Sequence, residues 1–280
     1  MWRMVCSIRG FGGSSQMLKI GALIVVVAAL AAAVGPSLMQ FDPATQELAQ
    51  RLTGPSRMHP FGLDELGRDI LARVLAGARI SFLVGLTVVS VSALVGTLLG
   101  AIAGYTGGVL DDLIGRLIDT LLAFPGLLLA IALVAVLGPS LGNVLFALTI
   151  IGWVGYARLV RGQVLRAREL DYVQAARALG ARTTRILFRH VVPTAIPSVV
   201  VQATLGMAAA IIGEAALSFL GLGVQPPTPS WGTMLNGGRA HLLDAPHLTI
   251  FPGLAIGLLV LGFNFLGDGL RDHLDPKRQR

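Results

Sequence analysis

The amino-acid sequence predicts an all-α membrane protein with six transmembrane helices. Three observations carry that prediction. Hydrophobic residues make up 54% of the 280 and charged residues only 13%, and mean hydropathy is +0.74. A soluble domain carries roughly 25% charged residues. Uncharged runs recur: residues 20–41, 80–110, 120–157, 191–213 and 245–267 contain no Asp, Glu, Lys or Arg. A span needs roughly 20 apolar residues to cross about 30 Å of hydrocarbon. Finally, the arginines fall between these runs rather than within them.

In chain order, span one is expected at 18–39. Arg3, Arg9 and Lys19 give it a basic start. The small residues of "ALAAAVG" would suit a cleaved signal, but five further spans favour a retained helix. Cys6 is the single cysteine; it excludes an internal disulfide or a CxxC site and reads as a tolerated thiol. The segment to residue 79 is read as an outer loop. In it, Asp64 or Asp69 of "FGLDELGRDILARVL" is placed to cap a short outer helix. Span two is expected at 80–104. Its "GTLLG" (Gly96–Gly100) permits close helix approach, within this chain or toward a partner. The 120–157 run is too long for one helix, and "LGPSLGN" (Leu137–Asn143) divides it. Spans three and four are therefore expected at 115–137 and 141–160. Arg116 and Asp119, three apart, are expected to pair on a helix face. Span five is expected at 193–219 and span six at 249–268.

Topology follows from the basic residues. With the N-terminus inside, the inner segments hold sixteen of the 22 Lys and Arg residues, eight of them between Arg158 and Arg189. The outer segments hold Arg51, Arg57, Arg68, Arg73, Arg79 and Arg239. Both termini are therefore expected in the cytoplasm. The net charge of +7 records topology; nucleic-acid binding would need a basic face with stacking aromatics, and none is legible.

The longest inner loop contains "DYVQAARALGARTTRILFRHVVP" (Asp171–Pro193). Its alanine-rich start predicts a short helix. Tyr172, Ala175, Ala176 and Leu179 share one face at i, i+3, i+4 and i+7, with Gln174 and Arg177 directed away. Gly180 suits the left-handed C-terminal cap. A second helix should follow, with Arg182, Arg185 and Arg189 on one face, and Pro193 suits the first turn of span five. The segment reads either as an interfacial linker or as a docking helix for a cytoplasmic partner.

"QAARALG", nine residues and "HVVP" resemble the EAA loop of ABC importer permeases. Ala175, Ala176, Gly180 and Pro193 match the pattern; Gln174 replaces the acidic residue, His190 an isoleucine and Val192 a leucine. Further blocks at His59–Gly85, Asp119–Leu141, Trp153–Leu165, Glu214–Leu235 and Phe263–Pro276 resemble the C-type permease subunit of dipeptide, oligopeptide and nickel importers. The resemblance implies a type I ABC importer permease fold with a cytoplasmic coupling-helix loop. It divides the chain into a cytoplasmic segment 1–17, the first helix with a long outer loop 18–79, a five-helix core 80–268 containing the EAA-like loop 166–193, and a cytoplasmic tail 269–280. It further implies a second homologous permease, two cytoplasmic ATPases that bind ATP and Mg, and an extracytoplasmic substrate-binding protein. Tyr172, Gln174, Ala175, Ala176, Leu179 and Gly180 would form the ATPase-docking surface. No cofactor would be held by this chain. Independently, a phosphate-binding P-loop requires a lysine after glycine, and Lys19 and Lys277 follow Leu18 and Pro276.

Glu214, in "IIGEAALSF", is a candidate pathway charge, although a structural hydrogen bond near the outer mouth of span five is favoured. Trp231 in "QPPTPSWG" reads as an interfacial anchor, a contact for the binding protein or a cover over the pathway. The five histidines show no metal-ligand spacing. Nickel or another small solute is the alternative cargo. A secondary transporter driven by an ion gradient is the alternative class, and it would rest on Glu214 alone.

Overall fold

The computed structural model describes residues 14–39 and 41–274. The readings made on Arg3, Cys6, Arg9, Lys277, Arg278 and Arg280 lie outside the described residues.

The described residues form α-helices joined by turns and by two longer loops, one before α2 and one before α9, with one isolated bridge between Leu63 and Asp69. In order they are α1 (Ser14–Leu38), α2 (Ile70–Thr106), α3 (Gly108–Leu122), α4 (Gly126–Leu137), α5 (Leu141–Ala167), α6 (Asp171–Ala178), α7 (Thr183–Ile186), α8 (Val192–Phe219), α9 (Trp231–Gly238) and α10 (His247–Leu274). Long apolar helices supply five candidate spans. The pair α3 and α4 supplies a sixth if it is counted as one, and its halves meet at 86°. The expected third span, 115–137, is thus not one straight helix but a bent pair, with the geometry of a broken span or of a re-entrant loop. Pro125 stands at the break as the residue before α4. It disfavours a helical Phe124 and offers no N–H to continue the ladder.

Span two begins at Ile70, well before its expected start. Asp69 does cap a helix, accepting from the Ala72 amide at 2.7 Å, but that helix is the span itself and not a short outer one. Arg73 and Arg79 therefore lie within α2 rather than in the loop. Each is held by main-chain oxygens. Arg73 donates to the Pro43 carbonyl at 3.0 Å and stands 3.5 Å from Asp64. Arg79 donates to the Ala32 and Ala33 carbonyls at 2.7 and 2.8 Å. Ala32 needs an outside donor, because Pro36, four residues on, has no amide hydrogen.

The Leu137–Asn143 turn divides spans three and four as expected. Gly138 takes φ +93°, and the Ser140 hydroxyl caps α5 by accepting from the Asn143 amide at 3.1 Å. Helix α5 then continues to Ala167, beyond the expected end of span four at 160, so Arg161 and Arg166 belong to it. The expected Arg116–Asp119 pair does not form. Instead Arg161 of α5 holds Asp111 of α3 through two hydrogen bonds, at 2.5 and 2.8 Å.

The tightest seam joins α2 to α5. A methyl group at Gly96 would lie 2.4 Å from the Trp153 carbonyl oxygen, and one at Gly100 would lie 2.3 Å from that of Ala157. The GxxxG face is thus occupied inside this chain. A second core gathers α1, α2, α8, α9 and α10 around Ile211, Met207, Phe263, Leu259 and Trp231. Trp231 is only 3% exposed and donates its indole N–H to the Val74 carbonyl at 2.9 Å. It is therefore a core residue and not an interfacial anchor. Ser230 and Thr233 form a capping box that starts α9 beneath it. The outward faces stay apolar, as at Leu23, Leu30, Leu98 and Leu258, which suits lipid.

We expect Gly100→Val to cost about 1–3 kcal/mol, because the clash is with rigid backbone rather than with a movable side chain. A thermal midpoint in detergent equal to that of the native chain would contradict the backbone seam.

Candidate functional site

The basic loop folds as a compact module on the C-terminal ends of α2 and α5 and the N-terminal end of α8. Its anchor is Val173, fully buried against Val160, Val164, Ile186, Leu187 and Val191. Ala176 is half-buried and packs on the same cluster. Polar contacts fix the orientation. The Gln174 carboxamide donates to the Arg168 carbonyl at 2.9 Å, at the end of α5. The Arg177 guanidinium lies 5.9 Å above the Tyr105 ring of α2, a cation–π arrangement. Arg168 donates to the Gly104 carbonyl at 3.1 Å. Gln174 and Arg177 thus point inward to the scaffold.

The opposite surface of α6 is open. Leu179 is 87% exposed and Tyr172 is 46% exposed, and Ala175 between them is exposed too. Of the four residues expected on one face, Tyr172, Ala175 and Leu179 share the open surface and Ala176 lies at its buried edge. Gly180 takes φ +76°. Two reverse bonds close the helix end, from the Gly180 amide to Arg177 at 3.0 Å and from the Ala181 amide to Ala176 at 3.1 Å. Such a closure favours glycine, the residue that enters the left-handed region without a Cβ penalty.

Beyond the cap, no independent second helix forms. The single turn α7 passes through a π turn at Leu187–Val191 into α8. A π turn leaves the helical ladder out of step and is frequent at functional sites. The Tyr172 hydroxyl donates to the His190 carbonyl inside it, at 3.3 Å. The exposed tyrosine of α6 is thus bonded to the segment that leads into α8. Sequence reading missed this link, since nothing in "ILFRHVV" marks a π turn.

Glu214 lies toward the other end of α8, far from this module. It is fully buried. The Val224 amide donates to the Ser218 hydroxyl at 3.2 Å, and that hydroxyl donates to Glu214 Oε1 at 2.6 Å. Among the described residues, Oε2 has no hydrogen-bond partner. A methyl group at Gly232 would lie 2.3 Å from the Ala215 carbonyl oxygen, so α9 packs directly over this relay. Among the described residues, no cluster of His, Cys, Asp and Glu could hold a metal ion.

A family model for the inner membrane component of binding-protein-dependent transport systems matches residues 96–280, a stretch that contains the whole loop module. The chain belongs to that family. Among its curated relatives, this permease component is 48% identical over 263 residues to a dipeptide transport system permease protein of Alkalihalophilus pseudofirmus, covering 94% of this chain and 86% of the relative. It is 50% identical over 241 residues to a glutathione transport system permease protein of Pectobacterium atrosepticum, covering 86% and 80%. A glutathione transport system permease protein of Shigella sonnei is likewise 50% identical over 263 residues, covering 94% and 87%. The permease component thus spans most of each relative, and these relatives are transport subunits rather than enzymes.

We expect Glu214→Ala to lower stability by about 1–3 kcal/mol, because it strands the Ser218 hydroxyl in a buried site. Glu214→Gln keeps an acceptor there and should lose less. Equal thermal midpoints for the two variants in detergent would refute this assignment of the relay.

Proposed function

We propose that this chain is the permease subunit of an ATP-driven importer of dipeptides or short oligopeptides. The identity of about one half to dipeptide and glutathione permease proteins, over 86–94% of the chain, carries this reading. Glutathione is itself a tripeptide, so both relatives' names share an amide-linked cargo. The chain forms one half of the pathway. A second, homologous permease forms the other half, two cytoplasmic ATPases bind ATP and Mg, and an extracytoplasmic binding protein delivers the solute. Both termini lie in the cytoplasm, in line with the inner excess of arginine.

In this reading the open face of α6, formed by Tyr172, Ala175 and Leu179 and closed by Gly180, seats in a cleft of one ATPase, with Ala176 and Gln174 holding it from behind. An exposed leucine such as Leu179 is suited to such a cleft. Movement of the seated helix passes through the Val173 cluster and through the Tyr172–His190 bond into α8. ATP drives the change only by binding one packed state more tightly than the other. Glu214 supports no ion-driven alternative, because its carboxylate is sealed against Ser218 and beneath α9.

Gly180→Asp should abolish ATP-coupled peptide uptake while leaving the protein level in the membrane near normal. The substitution disrupts the cap and adds charge at the docking face. Normal uptake at a normal protein level would sink the docking assignment. Purification in mild detergent should recover the chain with two ATPase chains and a second permease. A chain that purifies alone, under conditions that preserve other membrane complexes, would sink the importer assembly.

A further inference from the structure

Two openings flank α8 on its α5 side. One, of about 480 Å³, is walled by Gly152 and Tyr156 of α5 and by Gly206 and Gly213 of α8, with Ser92 of α2. The other, of about 450 Å³, is lined by Leu159 of α5, Ser198 of α8 and Arg271 of α10. Gln202 lines both. Among the α8 residues that line them, 198, 202, 206, 209 and 213 repeat every three or four residues and so form one face, flanked by the lining residues Pro197, Val201, Leu205, Ala210 and Ile212. At 1.5 Å per residue that face runs for about 22 Å, most of the hydrocarbon thickness.

The side chain of Gln202 sets this face apart. It lies near the middle of α8, yet its carboxamide makes no hydrogen bond to any described residue. The neighbouring polar groups are engaged, though weakly. Tyr156 donates to the main-chain carbonyl of Gln202 at 3.4 Å, and Ser92 donates to that of Thr149 at 3.4 Å. An unpartnered amide facing lipid would cost several kcal/mol. Glycines make room in front of it. A methyl group at Gly206 would lie 2.6 Å from the Tyr156 hydroxyl, and one at Gly155 would lie 3.8 Å from Gln202 Nε2. Arg271 is the single charged residue among the residues that line the two openings.

We infer that the α5–α8 groove is a water-accessible solute surface, and that the Gln202 carboxamide pairs with an amide group of the passing solute. This rests on the peptide-importer reading. A carboxamide offers both a donor and an acceptor, which is the complement of a peptide bond. The uncharged middle of the groove would let a zwitterionic solute pass without being held by a fixed charge.

The test uses the assembled importer in proteoliposomes, on a Cys6→Ser background that removes the native thiol. Gln202→Cys should react with a membrane-impermeant thiol reagent at least about tenfold faster than Val200→Cys, which lies on the exposed apolar face of the same helix. Saturating dipeptide together with the binding protein should slow that reaction. Gln202→Leu should lower peptide uptake about tenfold or more while ATPase activity stimulated by the binding protein persists, and Gln202→Asn should recover part of the uptake. Equal reactivity of the two cysteine variants, or native uptake by Gln202→Leu, would overturn the groove. Fast labelling that dipeptide does not slow, in an importer that does take up dipeptide, would overturn the amide contact. An importer that moves no peptide while Gln202→Cys stays reactive would overturn the peptide reading and leave the groove standing.

Discussion

Close backbone contact between α2 and α5 is the constraint on which the rest of the molecule depends. Lipid is as apolar as leucine, so burial of apolar surface gives helices little reason to associate in a membrane. Close approach and dispersion must do so, and they require residues without side chains. Gly96 and Gly100 set the carbonyls of Trp153 and Ala157 within reach of α2. Gly104 continues the line, where a methyl group would lie 2.9 Å from the Arg161 carbonyl oxygen. Once α2 and α5 are fixed, their C-terminal ends form a platform. Arg168 reaches Gly104 from one side and Arg177 reaches Tyr105 from the other. The basic loop rests on that platform, and α8 packs against α2 and α5 with an opening of about 480 Å³ among them.

Much of this was legible in the sequence. Uncharged runs located the spans, the Gly-Pro-Asn turn separated α4 from α5, and the spacing Tyr172–Ala175–Leu179 with Gly180 behind it described the open face of α6 and its cap. What escaped reading has a common cause. Charged residues were taken as signs of water, yet Arg73 and Arg79 sit inside α2 because main-chain carbonyls of the neighbouring segment receive them. Arg161 was likewise placed beyond the end of span four, although α5 carries it and Asp111 holds it across a helix gap. Trp231 looked interfacial because its indole N–H needs a partner, and the partner is a carbonyl on α2 that no local pattern foretells. Gln202 did leave a trace, as the only Gln, Asn or charged residue between Thr194 and Gly213.

The loop module is better described as a bracket than as a lever on a hinge. Val173 and its neighbours join one end of each of three helices in one apolar cluster. The helical ladder changes step at the π turn Leu187–Val191, a feature frequent at functional sites. The Tyr172 hydroxyl bonds there.

The bond between Gln174 and the Arg168 carbonyl has a further consequence. A carboxylate in this position could not donate to a carbonyl; it would have to seek a cation instead, and an exposed ion pair weakens as salt rises. The carboxamide neither titrates nor carries a charge to be screened. The bond that ties α6 to α5 therefore does not itself weaken with ionic strength or with acidification.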